Sequence, residues 1–330
     1  MTPSRTTTCL LLLTVPVVLI LCLMAGPAGF GLPDTSTPAG RALLELRLLR
    51  VVTGFVVGAA LALSGCALQA ILRNALAEPY VLGVSSGSSL GAALTIVTGL
   101  AQLTPLALPA GAFVVGGLTL LLVCLISGRA GHYSPNTLIL VGVVASSMLS
   151  SLLMLVLALA DTLALHSITW WMMGNLQATS WTLVLIVTVL VAMAAALLFS
   201  QTPALNALLL GSETARHLGV ETHIVLPLVL GAAALATSAA VSLAGCIGFV
   251  GLIVPHTLRR VVGANHRRLL PTATLCGGAF LVVCDTFARL LFAPREIPVG
   301  VITALSGGPF FLYLLLRNAP QKTSVSSVSP

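Results

Sequence analysis

Few residues of this chain could do chemistry. Only 7% are charged, 15 Lys+Arg against 8 Asp+Glu, and the six His and seven Cys are dispersed. Cys9, Cys22, Cys66, Cys124, Cys246, Cys276 and Cys284 lie singly in apolar stretches, with no CxxC pair and no His/Cys cluster at ligand spacing, so they read as small buried hydrophobes and no metal site is expected. His132, His217, His223 and His266 fall in polar breaks and His256 follows Pro255, each alone and more suited to a structural than a ligating role. The sole lysine is Lys322, so no G-x-x-x-x-G-K-[ST] loop exists and the chain has no ATP site of its own. HExxH and paired carboxylates at useful spacing are absent too, which leaves no catalytic residue to name. Asp161 and Asp285 are acids beside apolar runs, and an intramembrane acid would suit ion coupling in a secondary transporter. The densest charge lies elsewhere, in LLLGSETARHLGVETH (Leu208–His223), with Glu213, Arg216, His217, Glu221 and His223.

The elements that must position these residues are membrane helices. Hydrophobic residues make up 58% of the 330, and the mean hydropathy is +1.10. Each crossing takes about 20 apolar residues, because lipid offers an open backbone no hydrogen-bond partner. Apolar runs fall at roughly 9–28, 51–71, 83–101, 105–127, 137–160, 181–200, 224–243, 246–262, 270–292 and 298–316, ten in all, several short or interrupted by Gly and Pro. The fold class expected is all-α and polytopic. With the N-terminus inside, Arg5, Arg73, Arg129, Arg216, Arg259, Arg260, Arg267, Arg268, Arg317 and Lys322 are cytoplasmic, leaving Arg41, Arg47, Arg50, Arg289 and Arg295 outside, as the positive-inside tendency favours. That bias and the even number of runs weigh against reading residues 1–30, with Ala25-Gly26-Pro27-Ala28, as a cleaved signal peptide. The net charge of +7 mostly reports this topology.

Local patterns add candidates. Ser212 after Gly211 is placed to cap a short helix, with Glu213 at its positive end, Arg216 and His217 at its negative end, and Gly219 to end it in the left-handed conformation. Ser146, Ser147, Ser150 and Ser151 give the fifth run a polar strip that could line a path or let helices pack. RNALAEPY, with Arg73, Asn74, Glu78 and Pro79, is a polar break that must face water or protein.

That break, within VGAALALSGCALQAILRNALAEPYVLGVSSGSSLG (Val57–Gly91), combines with LAGCIGFVGLIVPHTLRR (243–260), NHRRLLP (265–271), DTFAR (285–289) and EIPVGVITALSGGPFFLYLL (296–315). Together, in order and at family spacing over nearly the whole chain, they resemble the permease family of type II ABC importers, which take up iron-siderophore complexes, haem and vitamin B12. Ala75, Tyr80 and Leu49 stand where the family often has Pro, Gly and Pro. The resemblance implies about ten transmembrane helices in one permease domain, 1–318, with a cytoplasmic coupling loop at about 204–223, a disordered tail at 319–330 and both termini cytoplasmic in the inner membrane. It implies a second permease subunit, identical or paralogous, two cytoplasmic ATPase subunits that hold ATP and Mg, and an extracytoplasmic binding protein, with no cofactor on this chain and no nucleic acid. Carried onto this sequence, the coupling surface is Glu213, Ala215, Arg216 and Gly219. The cytoplasmic gate is Asn74, Leu76, Pro135 and Asn136, and Arg47, Arg50, Arg289 and Arg295 receive acidic residues of the binding protein, as directional Arg–carboxylate pairs would. Arg289 has a local competitor in Asp285, one helical turn earlier. An iron-siderophore complex is the expected cargo, with vitamin B12 and haem as alternatives.

Overall fold

The structure is a computed structural model that describes residues 5–26, 29–131, 133–177 and 180–318; the tail expected at 319–330 lies outside them. Among the described residues the regular structure is helical but for one two-residue antiparallel pairing, β1 (Ala25–Gly26) with β2 (Gly29–Phe30). The helices are α1 (Arg5–Met24), α2 (Pro38–Ile71), α3 (Val84–Val97), α4 (Ala107–Gly131), α5 (Pro135–Leu159), α6 (Thr162–Met172), α7 (Trp181–Ser200), α8 (Thr202–Leu208), α9 (Ser212–His217), α10 (Thr222–Ala244), α11 (Val250–Val262), α12 (His266–Leu290) and α13 (Val299–Asn318). Caps written in the sequence set several boundaries: Thr37 Oγ1 accepts the Gly40 N–H ahead of α2, Ser134 Oγ that of Thr137 at α5, and Asp161 Oδ1 that of Ala164 at α6.

Helices α2, α4, α5, α7, α10 and α12 are each long and apolar enough to cross a membrane, and α1, α3 and α13 hold the shorter apolar stretches Leu13–Met24, Val84–Val97 and Val299–Tyr313. With α11 these make the ten runs seen in the sequence. The core gathers on α2, whose residues from Val56 to Ile71 are buried among α10, α11 and α12. Small residues make that density possible. A Cβ on Gly58 of α2 would stand 2.3 Å from the Gly277 carbonyl oxygen of α12, so these two helices touch backbone to backbone. Helix α1 packs on α12 and α2, with Val15 and Cys22 buried.

Helix α11 has 13 residues and rises about 20 Å, short of the ~30 Å hydrocarbon core. It starts partway through the bundle: a Cβ on Gly65, in the interior of α2, would meet the Gly251 carbonyl oxygen at 1.9 Å. The non-helical stretch from Gly245 to Phe249 therefore lies at depth, where its polar groups need internal partners. Tyr80 supplies two, its hydroxyl donating to the Ile247 carbonyl and accepting the Ile247 N–H, each at 2.9 Å. The Glu78 carboxylate accepts the Phe249 N–H. Gly245 itself has φ +72, and a Cβ there would lie 2.2 Å from the Trp171 carbonyl oxygen, so both conformation and contact demand glycine.

Candidate functional site

Three regions concentrate polar chemistry, one at each end of the bundle and one at depth. At the end that carries α8 and α9, buried Leu205 and Leu208 root α8 in the core. The N-cap of α9 is Gly211, at φ +109, and not Ser212, which is exposed one position later and makes no capping bond. Glycine can make the turn out of α8 without a steric limit, and this moves the helix start back by one residue. Glu213 and Arg216 project from α9 and are exposed, and Gly219 closes it at φ +83, as the sequence predicts. Ala215 is fully buried, so it carries α9 from beneath while Glu213, Arg216 and Gly219 form the open surface. Sequence reading passed over two neighbours on that surface, Leu210 and Leu218, which are 66% and 62% exposed. Their signal was two leucines in an otherwise polar loop.

The expected gate residues lie at the same end. Asn74 Oδ1 accepts the Leu76 N–H at 2.9 Å, forming a local turn that leaves Asn74 exposed and Leu76 half-buried. Pro135 opens α5 behind the Ser134 cap, and Asn136 is exposed beside it. Arg73, at φ +47, lines a cavity of about 490 Å³ together with Ser134, Pro135, Ser212 and Arg216. The structure thus brings the loop after α2, the loop before α5 and α9 around one space.

At the opposite end stands an ion-pair cluster. Arg50 of α2 donates through Nε and Nη2 to Asp285 of α12 at 2.9 Å, and through Nη1 to Glu296 at 2.9 Å. Arg289 donates from Nε to Asp285 at 3.1 Å and from Nη1 to the Ala25 carbonyl at 3.2 Å. Arg47 donates to the carbonyl oxygens of Gly31, Leu23 and Met24 at 3.0 to 3.5 Å. The guanidinium groups of Arg47, Arg50 and Arg289 are therefore engaged within the chain, and of the four expected docking arginines Arg295 is the exposed one. Partial burial works to raise the Glu296 carboxyl, but the hydrogen bond and charge of Arg50, helped by Gln177 at 2.9 Å, outweigh it and hold this group below the usual glutamate range.

The serine strip of α5 divides. Ser150 Oγ lies 3.3 Å from Ser86 Oγ of α3, and Ser146 faces Gly83 just before that helix, so both pack inward. Ser147 and Ser151 are exposed, each bonded to its own helix, at Val143 O (3.0 Å) and Ser147 O (2.9 Å). The two acids that could have coupled an ion flow are both occupied: Asp161 caps α6 and Asp285 neutralises two arginines. Among the described residues no three His, Cys, Asp or Glu come together to hold a metal.

Among the described residues, six helices long and apolar enough to cross a membrane, three shorter apolar ones and a charged helical element at one end are the architecture of a polytopic membrane protein. The sequence comparisons agree. The FecCD transport family model matches residues 10–317. The cobalamin import system permease protein BtuC of Halobacterium salinarum is 42% identical over 291 residues, which cover 88% of this chain and 77% of that protein. The hemin transport system permease protein HmuU of Yersinia pestis is 39% identical over 283 residues, 85% of this chain and 84% of that one. A solved inward-facing structure of an ABC transporter assigned to the metal-chelate type superposes with a TM-score of 0.86 at 34% identity, covering 95% of this chain and all of that one. The chain belongs to the FecCD transport family, the permeases of type II ABC importers.

Proposed function

We propose that this chain is the membrane path for a large metal-centred chelate, moved inward by ATP hydrolysis on separate ATPase subunits. The observation that carries the reading is the α8–α9 element. It is rooted by buried leucines and presents Glu213, Arg216 and Gly219 with two uncovered leucines to the aqueous side, the mixture a soluble partner would cover. Its basic surroundings, Arg73, Arg216, Arg259 and Arg260, favour the cytoplasmic side for this end and for both termini. A second permease subunit is expected on α5, whose most apolar window is only 11% buried within the chain. The opposite end receives the binding protein, with Arg295 free to meet its carboxylates.

For the cargo, a ferric siderophore is the expectation from sequence, and the names of the relatives above favour cobalamin or haem beside it. The test is to purify the chain with its cognate ATPase and binding protein in vesicles and follow ATP-dependent uptake of cyanocobalamin, hemin and a ferric hydroxamate. Uptake of one of them establishes the cargo. An assembled complex that takes up none of the three, or a chain that brings down no ATPase, overturns the reading.

A further inference from the structure

The α8–α9 element is joined to the membrane helices by directional bonds as well as apolar packing. Asn206 of α8 places Oδ1 2.8 Å from the backbone nitrogen of His266 and 2.9 Å from His266 Nδ1. Its Nδ2 donates to Asn265 Oδ1 at 3.1 Å, and that oxygen also accepts the Arg267 N–H at 3.0 Å as the cap of α12. Because Asn206 Oδ1 receives two hydrogens, the network assigns His266 the tautomer protonated at Nδ1. His266 is fully buried, so water does not compete for these bonds. A helix start leaves N–H groups that some other part of the molecule must satisfy. Here that part is α8, about 60 residues upstream.

Helix α12 is tied in turn along its length. It meets α2 backbone to backbone at Gly58 and Gly277, and at its far end Asp285 holds Arg50. From Asn265 to Asp285 a helix rises about 30 Å. Leu205 and Leu208 hold α8 by packing, which fixes no particular direction, whereas the three bonds of Asn206 fix α8 against the first turn of α12. We infer that Asn206 is the positioning residue through which displacement of α8 and α9 passes to α12, and through the α12–α2 pair to Arg50 at the opposite end. The inference rests on the proposed reading of 204–223 as the ATPase-docking element.

The test exploits the reciprocity of linkage. In the assembled complex in nanodiscs, the affinity for the binding protein is measured with and without a magnesium-bound, non-hydrolysable ATP analogue. The nucleotide is expected to change that affinity by on the order of tenfold. Asn206→Ala should reduce the factor to below about twofold while the ATPase content of the purified complex stays unchanged. Asn206→Asp keeps the acceptor for both His266 hydrogens but loses the amide donor to Asn265 Oδ1, so its factor should fall between those of wild type and Asn206→Ala. Should Asn206→Ala fail to fold into the membrane at all, Asn265→Ser, which keeps a capping oxygen but shortens it away from Asn206, should lower the factor in the same direction. An unchanged factor in Asn206→Ala, or in Asn265→Ser where Asn206→Ala cannot be prepared, overturns the inference. Loss of the ATPase from Asn206→Ala also overturns it, because Asn206 would then belong to the docking surface. Normal ATPase binding by Ala215→Glu and Gly219→Val overturns the docking reading instead, whatever Asn206 does.

Discussion

Arg50 and Asp285, 235 residues apart in the chain, meet through two guanidinium nitrogens and both carboxylate oxygens. Their side chains are 14% and 4% exposed, and Arg289 leans on the same carboxylate. Asp285 therefore balances two arginines where little water reaches.

Removing that balance should cost stability. Asp285→Asn replaces the carboxylate that Arg50 and Arg289 share by a neutral amide oxygen, and breaking a buried pair typically costs about 3–5 kcal/mol. Thermal unfolding of the purified permease should show a loss near the lower end of that range, since Arg50 keeps Glu296. Glu296→Gln, at a site 35% exposed, should cost less than about 1 kcal/mol. Equal losses in the two variants would refute the arrangement.

Acid should act on the Glu296 arm. Its pKa in the folded chain lies below the ordinary value of 4.5, so the stabilisation it gives is fully present above about pH 4.5 and is lost as pH falls through the folded value. Wild type and Glu296→Gln should differ in stability near neutrality and converge in strong acid. A gap that widens on acidification would contradict the sign.

The proposed docking of a binding protein is best probed away from the ion-pair cluster. Charge reversal at Arg47 and Arg50 together would dismantle internal bonds as well as any contact with a partner, so a loss of uptake there is ambiguous. Arg295→Glu leaves the internal pairs untouched and should weaken binding-protein affinity by about tenfold with ATPase content unchanged. Unaltered affinity would remove Arg295 from the docking surface.

At the projecting element, Ala215→Glu forces a charge into a fully buried site and Gly219→Val places a β-branched residue at φ +83. Both should distort α9, the second by about 1–2 kcal/mol of backbone strain. The expected result is a chain that still reaches the membrane and binds the binding protein but loses the ATPase on co-purification.

Within the membrane, Glu78→Gln keeps an acceptor for the Phe249 N–H and should be tolerated. Glu78→Leu strands that N–H at depth, at about 1–3 kcal/mol. A thermal shift for Glu78→Leu no larger than for Glu78→Gln would show that another group satisfies Phe249.

The caps Thr37, Ser134 and Asp161 were not singled out from sequence, Asp161 being weighed instead for ion coupling, whereas the apolar runs were legible because hydropathy is a local property. The charge pattern around α9 was legible for the same reason, with its start misplaced by one residue where Gly211 took the role given to Ser212. What could not be read was pairing across the chain. Nothing near Arg50 announces Asp285, and nothing near Asn206 announces His266, since those bonds depend on how α2, α8 and α12 come together. The inward face of Ala215 was hidden as well, because six residues of helix are too few for a period to separate its faces. For Glu78 the sequence left water and protein equally open, and the non-helical stretch before α11 decides for protein by supplying the N–H it accepts.

The hydroxyls of Ser147 and Ser151 each return to a carbonyl one turn back in α5. A serine satisfied in this way asks nothing of its surroundings, so the open face of α5 is as compatible with acyl chains as with a wet channel or a facing helix. During synthesis, α5 can leave the insertion machinery into lipid before any second subunit exists.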